Sequence, residues 1–593
     1  MATLTINEIP VTAEDSSSIL DAARLAGIHI PTLCNLEGFE ASGACRVCLV
    51  EVAGAPRLAA ACSTPVMDGM AIHTNSARVR KARRMTLELL LSEHDGHCQT
   101  CNRNLDCELR ESAEELGITR VSHEGERARP LFDRSTPALN RENSKCIKCR
   151  RCVRVCHGTQ SVGALSPQGR GFQTVIGPAF TLNLDGVACI QCGQCAAVCP
   201  VGAITERDHI EDVWQALDDP AKFVVVETAP AIRAALGEEF GLPPGTRVTG
   251  KMCAALRRIG FDRVFDTDFT ADLTIMEEGT ELLRRLKDHL VDGKPVPLPM
   301  FTSCCPGWVK FAEYYYPELL PNLSTCKSPQ QMFGALAKTY YAGKVRQNPE
   351  DMVVVSIMPC TAKKFECQRP EMNDSGVRDV DYVLTTRELG RMLRQGGIDL
   401  PALKDEAMDS LMGASTGAAD IFANTGGVMV AALRTAHEIV TGRELPADNL
   451  RVQPVEGLEG IKEAAIEITD ALDDWKFLEG ITVSVAVSHG LRNTRQLIES
   501  IKNGRTNPHF VEVMTCPGGC IGGGGQPRFT DDAVRHKRIE AIYLEDEGKP
   551  LRKSHLNAEV EQLYREFLSE PLGERSHHLL HTRYTPRDPL GAS

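Results

Sequence analysis

A run of four cysteines that occurs twice constrains this chain more than any other feature of its sequence. The first run consists of Cys146, Cys149, Cys152 and Cys156, and the second, 43 residues later, of Cys189, Cys192, Cys195 and Cys199. Two spacer residues between neighbouring cysteines let their thiolates reach one metal cluster. The chain has 593 residues and 23 cysteines, and a chain of this length needs no disulfide staples. The clustered cysteines therefore predict metal-bound modules rather than disulfides.

The repeated run has the spacing of a two-cluster bacterial ferredoxin, in which the fourth cysteine of each run ligates the other cluster. Cluster one is expected to use Cys146, Cys149, Cys152 and Cys199, and cluster two Cys189, Cys192, Cys195 and Cys156. His157 follows the first run where Pro200 follows the second, which affects no ligand. Zinc is the alternative for a single CxxC pair, and two interleaved runs favour [4Fe–4S] clusters.

Two further cysteine sets lie upstream. Cys34, Cys45, Cys48 and Cys62 resemble plant-type [2Fe–2S] ligation, although the first gap has ten residues instead of the usual four. The next set combines one histidine with three cysteines, namely His94, Cys98, Cys101 and Cys107. Zinc is an alternative at both sets, because Cys₃His is a common zinc site. The neighbouring iron–sulfur modules favour a His-ligated [4Fe–4S] cluster at the second.

The N-terminus and the charge balance indicate where the chain works. MATLTINEIPV lacks the basic start, apolar stretch and cleavage site of a signal peptide. No stretch approaches the roughly 20 apolar residues of a membrane helix. The chain has 66 basic and 79 acidic residues, a formal net charge of −13, which disfavours nucleic-acid binding. We expect a cytoplasmic protein whose partners include neither membrane nor nucleic acid.

The sequence pattern changes after Cys199. A helix is expected earlier, over 79–91, whereas short apolar runs now end in Gly, Pro or Cys at 222–230, 299–307, 352–360, 481–490 and 510–519. Such runs, separated by helical segments, predict buried strands of an α/β sheet. Three of them end in cysteines, at the edge where open α/β sheets hold their ligands.

Four of the remaining cysteines can converge on one further cluster. They are Cys305 in TSCCPGW (302–308), Cys360 in MPCTAKKFE (358–366), and Cys516 and Cys520 in MTCPGGCIGGGGQP (514–527). The glycines 522–525 would let the backbone approach a bulky inorganic group. A flexible loop is the alternative for these glycines, and their place beside two cysteines favours the close approach.

These three segments closely resemble the three signatures of [FeFe] hydrogenases, and the upstream modules match the long, multi-cluster members in order and spacing. The resemblance implies a multidomain α+β and α/β protein. Its expected domains are a plant-ferredoxin-like [2Fe–2S] domain (1–78), a small His/Cys₃ [4Fe–4S] module (79–122), a bacterial two-[4Fe–4S] ferredoxin-like domain (138–209), and an α/β H-cluster domain (210–593) with a helical tail from about 535.

The same resemblance implies the residues of the site. An H-cluster, a [4Fe–4S] cubane joined to a di-iron unit with CO, cyanide and a bridging dithiolate, would be held by Cys305, Cys360, Cys516 and Cys520. Cys304 matches the family's proton-donating cysteine, and Lys363 would hydrogen-bond a cyanide. Residues expected to line the di-iron pocket are Pro230, Ala231, Pro329, Gln330, Met358, Phe422 and Met514. At Ala231 some relatives carry a serine that donates to a cyanide, and this chain has no hydroxyl there.

A proton relay is also implied. Glu278 and Glu281 are spaced i, i+3, which puts both carboxylates on one helical face. With Ser324 they match the family's path from the surface through Glu281, Ser324 and Glu278 to Cys304. A solvated acidic helix start is the alternative on the residues alone.

The implied activity is the reversible interconversion of H₂ with protons and electrons. The chain most resembles the catalytic subunit of NADP-reducing, bifurcating [FeFe] hydrogenases, with flavin- and NAD(P)-binding and [2Fe–2S] partner subunits. A monomeric ferredoxin-linked hydrogenase is the nearest alternative. An electron-transfer subunit, like the large iron–sulfur subunit of respiratory NADH dehydrogenase, is a second alternative, and it would leave TSCCPGW and the other two segments unexplained. A non-catalytic hydrogenase-like protein of cluster assembly is a third, and it would not be expected to keep Cys304, Lys363 and both glutamates together.

Some motifs do not enter this interpretation. Gly245–Lys251 resembles a P-loop, but Met252 lacks the hydroxyl that binds Mg²⁺, and no GxGxxG fingerprint occurs in the sequence. Any pyridine nucleotide is therefore expected on another subunit. His577, His578 and His581 are expected on a surface helix face, with metal binding as the alternative. The cysteines without an expected role, which we predict to be small buried hydrophobes, are Cys253, Cys326 and Cys367.

Overall fold

The computed structural model describes residues 1–123, 125, 130–452, 455–528 and 530–589. The last four residues of the expected H-cluster domain, 590–593, lie outside this set. The multidomain α+β and α/β fold is confirmed, with a separate structural unit around each cysteine set. Among the described residues, no helix combines the length and apolar character needed to cross a membrane.

The N-terminal unit is a five-stranded sheet with one short helix. Its strands are β1 (Ala2–Ile6), β2 (Ile9–Ala13), β3 (Leu49–Val52), β4 (Ala59–Ala60) and β5 (Ala71–His73), in the order β2-β1-β5-β3-β4. Alternate residues of β1 are buried, as expected for a strand with one face on the core. Helix α1 (Ile19–Leu25) begins at a capping box, in which the Ser18 hydroxyl accepts from the Asp21 amide.

The next unit is built on helices α2 (Ala77–Glu93) and α3 (Glu108–Glu115). The helix expected over 79–91 is thus confirmed. It begins at Ser76, whose hydroxyl accepts from the Val79 amide, and it ends at His94. The loop between the two helices carries the expected ligands, and Cys107 lies directly before α3.

The module that holds both four-cysteine runs, the ferredoxin-like module, combines a three-stranded sheet and a hairpin with two one-turn helices. Its strands are β6 (Phe132–Asp133), β7 (Leu139–Glu142), the hairpin β8 (Ser166–Gln168) and β9 (Val175–Gly177), and β10 (Ile204–Glu206). Helices α4 (Arg151–Arg154) and α5 (Gln194–Ala197) each lie within one cysteine run. Each begins after a residue with positive φ, Arg150 and Gly193, so the two runs adopt the same local turn.

The C-terminal unit contains two four-stranded sheets. The first is fully parallel and consists, in spatial order, of β12 (Arg263–Asp266), β11 (Phe223–Thr228), β14 (Met352–Met358) and β15 (Tyr382–Thr385). The second consists of β13 (Met300–Phe301), β18 (Phe510–Met514), β17 (Thr482–His489) and β16 (Ile461–Glu467), of which β16 is antiparallel.

The five apolar runs after Cys199 all form strands, but the expectation of one sheet is wrong. The runs divide between the two sheets, and each sheet has its own apolar core. The pattern could not show this division, because strand periodicity reports burial and carries no information on which strands pair. Both sheets direct the carboxyl ends of their parallel strands at one cavity, described below.

Helices cover both sheets. Those before the glycine loop are α6 (Ile210–Asp218), α7 (Thr249–Arg258), α8 (Thr267–Leu290), α9 (Pro306–Tyr315), α10 (Pro329–Leu336), α11 (Ala342–Val345), α12 (Ala362–Glu366), α13 (Thr386–Gln395), α14 (Gly417–Asp420), α15 (Gly427–Thr441) and α16 (Leu491–Lys502). The helical tail consists of α17 (Asp532–Gly548), α18 (Ala558–Leu563) and α19 (Glu574–Leu580).

The glycines 522–525 join the C-terminal unit to the ferredoxin-like module. A Cβ atom on Gly524 would lie 2.1 Å from the Cys192 carbonyl oxygen, and one on Gly523 would lie 2.2 Å from the Pro359 carbonyl oxygen. Gln194 Nε2 also donates to the Gly522 carbonyl at 2.9 Å. These glycines therefore serve close packing of backbone on backbone, in addition to the approach to a cluster that the sequence suggested.

Gly524→Ala is expected to destabilise the protein, because its Cβ would overlap a rigid carbonyl group rather than a flexible side chain. Overpacking of this kind costs about 1–3 kcal/mol. Gly343→Ala is the matched control, since no heavy atom lies within 4 Å of the added Cβ. The apparent unfolding midpoint of the holoprotein is the measurement. Equal midpoints for the two variants would contradict the packing role.

Candidate active site and cluster-binding modules

A largely apolar cavity of about 750 Å³, including its open mouth, lies where the two sheets meet. Residues that follow β11 and β14 form one side, and residues that follow β13 and β18 form the other. Parallel strands present their carboxyl ends at one edge, which is the usual place for a ligand in an α/β sheet. The sequence expectation that strand ends assemble a site here is consistent with this arrangement.

Four thiols project into this cavity from three distant parts of the chain. They belong to Cys305, Cys360, Cys516 and Cys520, the four cysteines expected to hold a cubane. Burial raises the pKa of Cys516, and the charges of Cys360 and other nearby thiolates raise it further. Thr515 donates to Cys305 Sγ through its backbone amide at 3.4 Å. Several thiols in a dry cavity, with a backbone N–H directed at one sulfur, fit an iron–sulfur cluster.

A cation enters the same cavity. Lys363 Nζ lies 2.8 Å from Glu366 Oε2 and 3.2 Å from the Cys304 carbonyl oxygen. The Ser328 hydroxyl donates to the same Glu366 oxygen at 2.9 Å, which fixes the carboxylate that positions the lysine. A buried ammonium held at the wall of a cavity suits an anionic group bound inside it.

One polar atom in the cavity wall lacks a partner. Gln330 Oε1 is buried and makes no hydrogen bond among the described residues, while its Nε2 lies 3.4 Å from the Lys363 carbonyl oxygen. Buried polar atoms are normally satisfied, so this amide is oriented for a group that fills the cavity. The thiols and the ammonium together fit an anionic iron–sulfur group in this place, whereas the Gln330 oxygen can only accept a hydrogen bond from what fills the cavity.

The other expected pocket residues fall into two groups. Those that line the cavity are Pro230, Pro329, Gln330, Met358, Phe422 and Met514, together with Cys304 and Lys363. Ala231 is fully buried but is not among the lining residues. Its carbonyl oxygen accepts from Gln526 Nε2 at 3.1 Å. Ala231, where some relatives carry a serine, therefore lies behind the residues that line the cavity.

Of the expected relay residues, Cys304 lines the cavity and is partly buried, whereas Glu278, Glu281 and Ser324 are buried behind the cavity lining. Ser324 Oγ donates to Glu281 Oε2 at 3.0 Å, and Arg285 Nη2 lies 2.6 Å from Glu281 Oε1. Neither oxygen of Glu278 has a hydrogen-bond partner among the described residues. Burial, followed by the negative charge of Glu281, raises the pKa of Glu278 to about 8. Burial and the charge of Glu278 likewise raise the pKa of Cys304.

The [2Fe–2S] cysteines come together in the N-terminal unit. Cys34, Cys45, Cys48 and Cys62 are all buried, and the Cys48 and Cys62 sulfurs are 3.4 Å apart. Hydrogen bonds from Cys45 and Cys62 lower the pKa of Cys34. The ten-residue first gap, which departs from the usual spacing, therefore does not prevent the four thiols from converging.

The two runs of the ferredoxin-like module exchange their fourth cysteines. Cys146, Cys149, Cys152 and Cys199 line one cavity of about 410 Å³. Burial raises the pKa of Cys192, with further increases from the charges of Cys195, Cys156 and Cys189. The structure thus brings together the two sets that the spacing suggested.

The His94 module lies against the first of these sets. His94 is buried and its Nδ1 has no partner among the described residues, so the imidazole is free to bind a cluster. A Cβ atom on Gly202 would lie 2.7 Å from Cys101 Sγ. Arg151 holds Glu108 by two hydrogen bonds of 2.6 and 2.8 Å, which connects α4 to the start of α3. Cys98 is exposed, so this module also reaches the surface.

The modules follow one another in space toward the cavity. Arg154 donates to the backbone carbonyls of Cys34 and Glu40, so the [2Fe–2S] unit also contacts α4 of the ferredoxin-like module. At the other end of that module, the Thr361 hydroxyl donates to the Gln191 carbonyl at 2.7 Å. The [2Fe–2S] unit and the His94 module therefore both contact the part of the chain that holds Cys146, Cys149, Cys152 and Cys199, called here the Cys146 set. The other four thiols, called the Cys189 set (Cys189, Cys192, Cys195 and Cys156), lie next to the active-site cavity.

The residues that the sequence leaves outside the site include three cysteines, the P-loop-like segment and three histidines. Cys253, Cys326 and Cys367 are all buried, as expected. Lys251 of the P-loop-like segment donates to backbone carbonyls, including that of Pro401 at 3.1 Å. The expectation for His581 is wrong: it is buried, because it follows the end of α19 and turns into the core, whereas His577 and His578 on the helix are exposed.

Five family models match successive parts of the chain. They are described as 2Fe-2S iron-sulfur cluster binding domain (1–77), NADH-ubiquinone oxidoreductase-G iron-sulfur binding region (83–122), 4Fe-4S dicluster domain (145–203), iron only hydrogenase large subunit, C-terminal domain (222–524), and iron hydrogenase small subunit (532–587).

Sequence similarity to two known hydrogenases covers nearly the whole chain, and similarity to a solved structure covers about two thirds of it. The NADP-reducing hydrogenase subunit HndD of Solidesulfovibrio fructosivorans is 50% identical, over 100% of both chains. Iron hydrogenase 1 of Clostridium pasteurianum is 39% identical, over 98% of this chain and 100% of its own. A solved structure of apo [FeFe]-hydrogenase from Chlamydomonas reinhardtii is 45% identical and covers 64% of this chain and 100% of its own, with a TM-score of 0.58.

Exchange of the fourth cysteines has a direct test. Cys199→Ala and Cys146→Ala are each expected to lose the same [4Fe–4S] signal, about four iron ions per chain. Cys156→Ala and Cys189→Ala are expected to lose the other signal. Electron paramagnetic resonance of the reduced protein, with iron quantification, is the measurement, and Cys367→Ala is the control. Loss of the same signal in Cys199→Ala and Cys189→Ala would contradict the exchange.

Proposed function

The chain belongs to the iron-only ([FeFe]) hydrogenase family, and on that premise we propose that it is the catalytic subunit of an NAD(P)-linked, electron-bifurcating complex. The observation that carries the catalytic assignment is the cavity in which four thiols, Lys363 and Cys304 meet. Full-length similarity to an NADP-reducing hydrogenase subunit supports the acceptor. We propose the cytoplasm as its location, and domain boundaries at 1–78, 79–122, 138–209 and 210–593.

The residues present fit an H-cluster. Cys305, Cys360, Cys516 and Cys520 would hold its cubane. When bound, this group supplies the reversible interconversion of H₂ with protons and electrons. Lys363 would orient its anionic ligands, while the prolines, methionines and Phe422 that line the cavity exclude water from it.

Cys304 is the protein's proton carrier in this proposal. Cys304 lines the cavity and precedes the expected ligand Cys305, but it is not itself an expected ligand. Its thiol can therefore accept and release a proton. The negative charge of Glu278 acts on it, which supports a transfer between the two groups. The Ser324 hydroxyl is near enough to Glu278 to lower the pKa of its carboxyl, although neither Glu278 oxygen makes a hydrogen bond of ordinary geometry among the described residues, so a small side-chain rotation or a bridging water completes this step. Ser324 then leads directly to Glu281.

Two peripheral modules give the complex two places to exchange electrons. The [2Fe–2S] unit and the His94 module both contact the Cys146 set and both extend to the surface. We propose that a flavin- and NAD(P)-binding subunit contacts one of them and a [2Fe–2S] subunit or ferredoxin the other. A monomeric enzyme that uses ferredoxin alone remains the alternative, and the experiment on partners below separates the two.

Cys304→Ala is expected to abolish H₂ turnover while every cluster remains, since loss of a positioned proton carrier costs about a hundredfold or more. H₂ evolution from a reduced dye is the measurement, and infrared bands of CO and cyanide confirm that the H-cluster is loaded. Cys253→Ala, a buried thiol that contacts Met408, is the control. Turnover near that of wild type in loaded Cys304→Ala would contradict the relay role.

The isolated chain is expected to oxidise H₂ with an artificial dye but not to reduce NAD(P)⁺, because its sequence has no dinucleotide fingerprint. Purification from the native host should yield a flavin-containing subunit that restores NAD(P)⁺ reduction. Purification as a single chain that passes all its electrons to ferredoxin would favour the monomeric alternative.

A further inference from the structure

The C-terminal segment brings a histidine to the proposed proton relay. After α19, the Thr582 amide donates to the Thr325 carbonyl at 2.7 Å, and the Lys327 amide donates to the Leu580 carbonyl at 2.8 Å. His581, between these two contacts, is held against the segment that follows Ser324 and is 5% exposed.

Thr325 connects this histidine to the relay. Its hydroxyl lies 3.3 Å from Glu281 Oε2 and 2.8 Å from His581 Nδ1. A hydroxyl has one proton, so Thr325 donates to one neighbour while it accepts from the other. Glu281 Oε2 therefore has two hydroxyl neighbours, Ser324 toward the cavity and Thr325 toward His581.

A carboxylate stands on the far side of the imidazole. Glu277 Oε2 lies 3.1 Å from His581 Nε2. Tyr564 and Ser576 each donate to Glu277 Oε1 at 2.6 Å. Although burial alone would raise the pKa of Glu277, these hydrogen bonds lower it below its usual value. The carboxylate is thus held in place as an acceptor for the His581 Nε2–H.

We propose that Thr325, His581 and Glu277 form a side branch of the proton relay, with His581 as the group that holds the proton. In this step the Glu281 carboxyl O–H donates its proton to Thr325 Oγ1 while the Thr325 O–H passes its own to His581 Nδ1. Glu281 becomes a carboxylate and His581 an imidazolium, whose Nε2–H stays on Glu277. No electron is transferred. This inference rests on the proposed relay through Glu281.

The same neighbourhood could also suggest a metal site. Ligand atoms of Glu281, Cys326 and His581 lie within 4.8 Å of one another. Both nitrogens of His581 are hydrogen-bonded, however, so a metal at Nδ1 would have to displace the Thr325 hydroxyl. Titratable groups near His581 on the packed elements are Glu277 and Glu281 on α8, Cys326, Tyr564 through Glu277, and the stacked ring of His577. Glu281 also faces the cation of Arg285, whose Nη2 lies 2.6 Å from Glu281 Oε1, so the carboxyl holds the relayed proton only briefly.

Paired substitutions at Thr325 test the branch. Thr325→Val removes the hydroxyl at nearly constant volume, whereas Thr325→Ser keeps it. His581→Gln removes the proton acceptor, and His578→Gln, on the exposed face of α19, is its control. In the holoenzyme, Thr325→Val and His581→Gln are expected to change the pH profile of H₂ oxidation alike and lower its maximum by up to about tenfold, less than direct proton transfer contributes. Thr325→Ser should restore the wild-type profile.

A second readout does not depend on turnover. In protein with ¹⁵N-labelled histidine, the resonance missing from His581→Gln identifies the His581 ring. Glu281→Gln is expected to shift its titration midpoint by about half a pH unit or more, because a proton on one group changes the affinity of the other. The same spectra with added Zn²⁺ test the metal alternative, and strong binding there would overturn the proposal.

The outcomes separate the branch from the relay itself. A wild-type pH profile in Thr325→Val and His581→Gln, or failure of Thr325→Ser to restore it, would overturn the branch. If Glu278→Gln and Glu281→Gln keep full turnover while the His581 midpoint still responds to Glu281→Gln, the main relay fails and the coupling between the two groups stands. If His581→Gln contains less iron or unfolds at a lower temperature than wild type, the pH profile of Thr325→Val decides between the outcomes.

Discussion

The close contact of two backbones, at Gly524 and Cys192, is the constraint on which the arrangement of this molecule depends. The Cys189 set lies in the ferredoxin-like module and the active-site thiols lie in another unit, so electron exchange between them requires near contact. A single Cβ atom at Gly524 would collide with the Cys192 carbonyl. Hydrogen bonds from Gln194 and Thr361 fix the same junction. The junction therefore holds the Cys189 set and the active-site thiols in directly adjacent units, as electron exchange between their clusters requires.

Burial decides how the site's polar groups behave. Lys363, Glu366 and Ser328 form a satisfied chain, so the ammonium keeps its charge in an apolar cavity. Glu278 has no such partner, and its raised pKa follows from desolvation. A fixed cation in the cavity wall and a buried, protonatable carboxyl near Cys304 suit a reaction in which anionic ligands stay bound while protons pass.

Local spacing was enough to predict much of this arrangement. The repeated runs, the strand ends and the helix over 79–91 are encoded within a few residues of one another. The division into two sheets was not predictable, because pairing of β18 with β13 joins positions about 210 residues apart. His581 was misjudged for a similar reason: its partners, Thr325 and Glu277, are 256 and 304 residues away, and no periodic pattern records such contacts. The resemblance to a family supplied the site residues that spacing alone left open.

The docking of the C-terminal segment has a consequence for biosynthesis. Thr325 leaves the ribosome 256 residues before His581, and Glu277 leaves it 304 residues before, so the segment that carries His581 can close over them only after that stretch of chain has been made. Domains fold as they emerge, so the upstream modules can fold while the wall beside Glu281 is still open. Until that segment docks, the Thr325 hydroxyl that contacts Glu281 lacks its His581 neighbour, so this side of Glu281 is completed later than the rest of its surroundings.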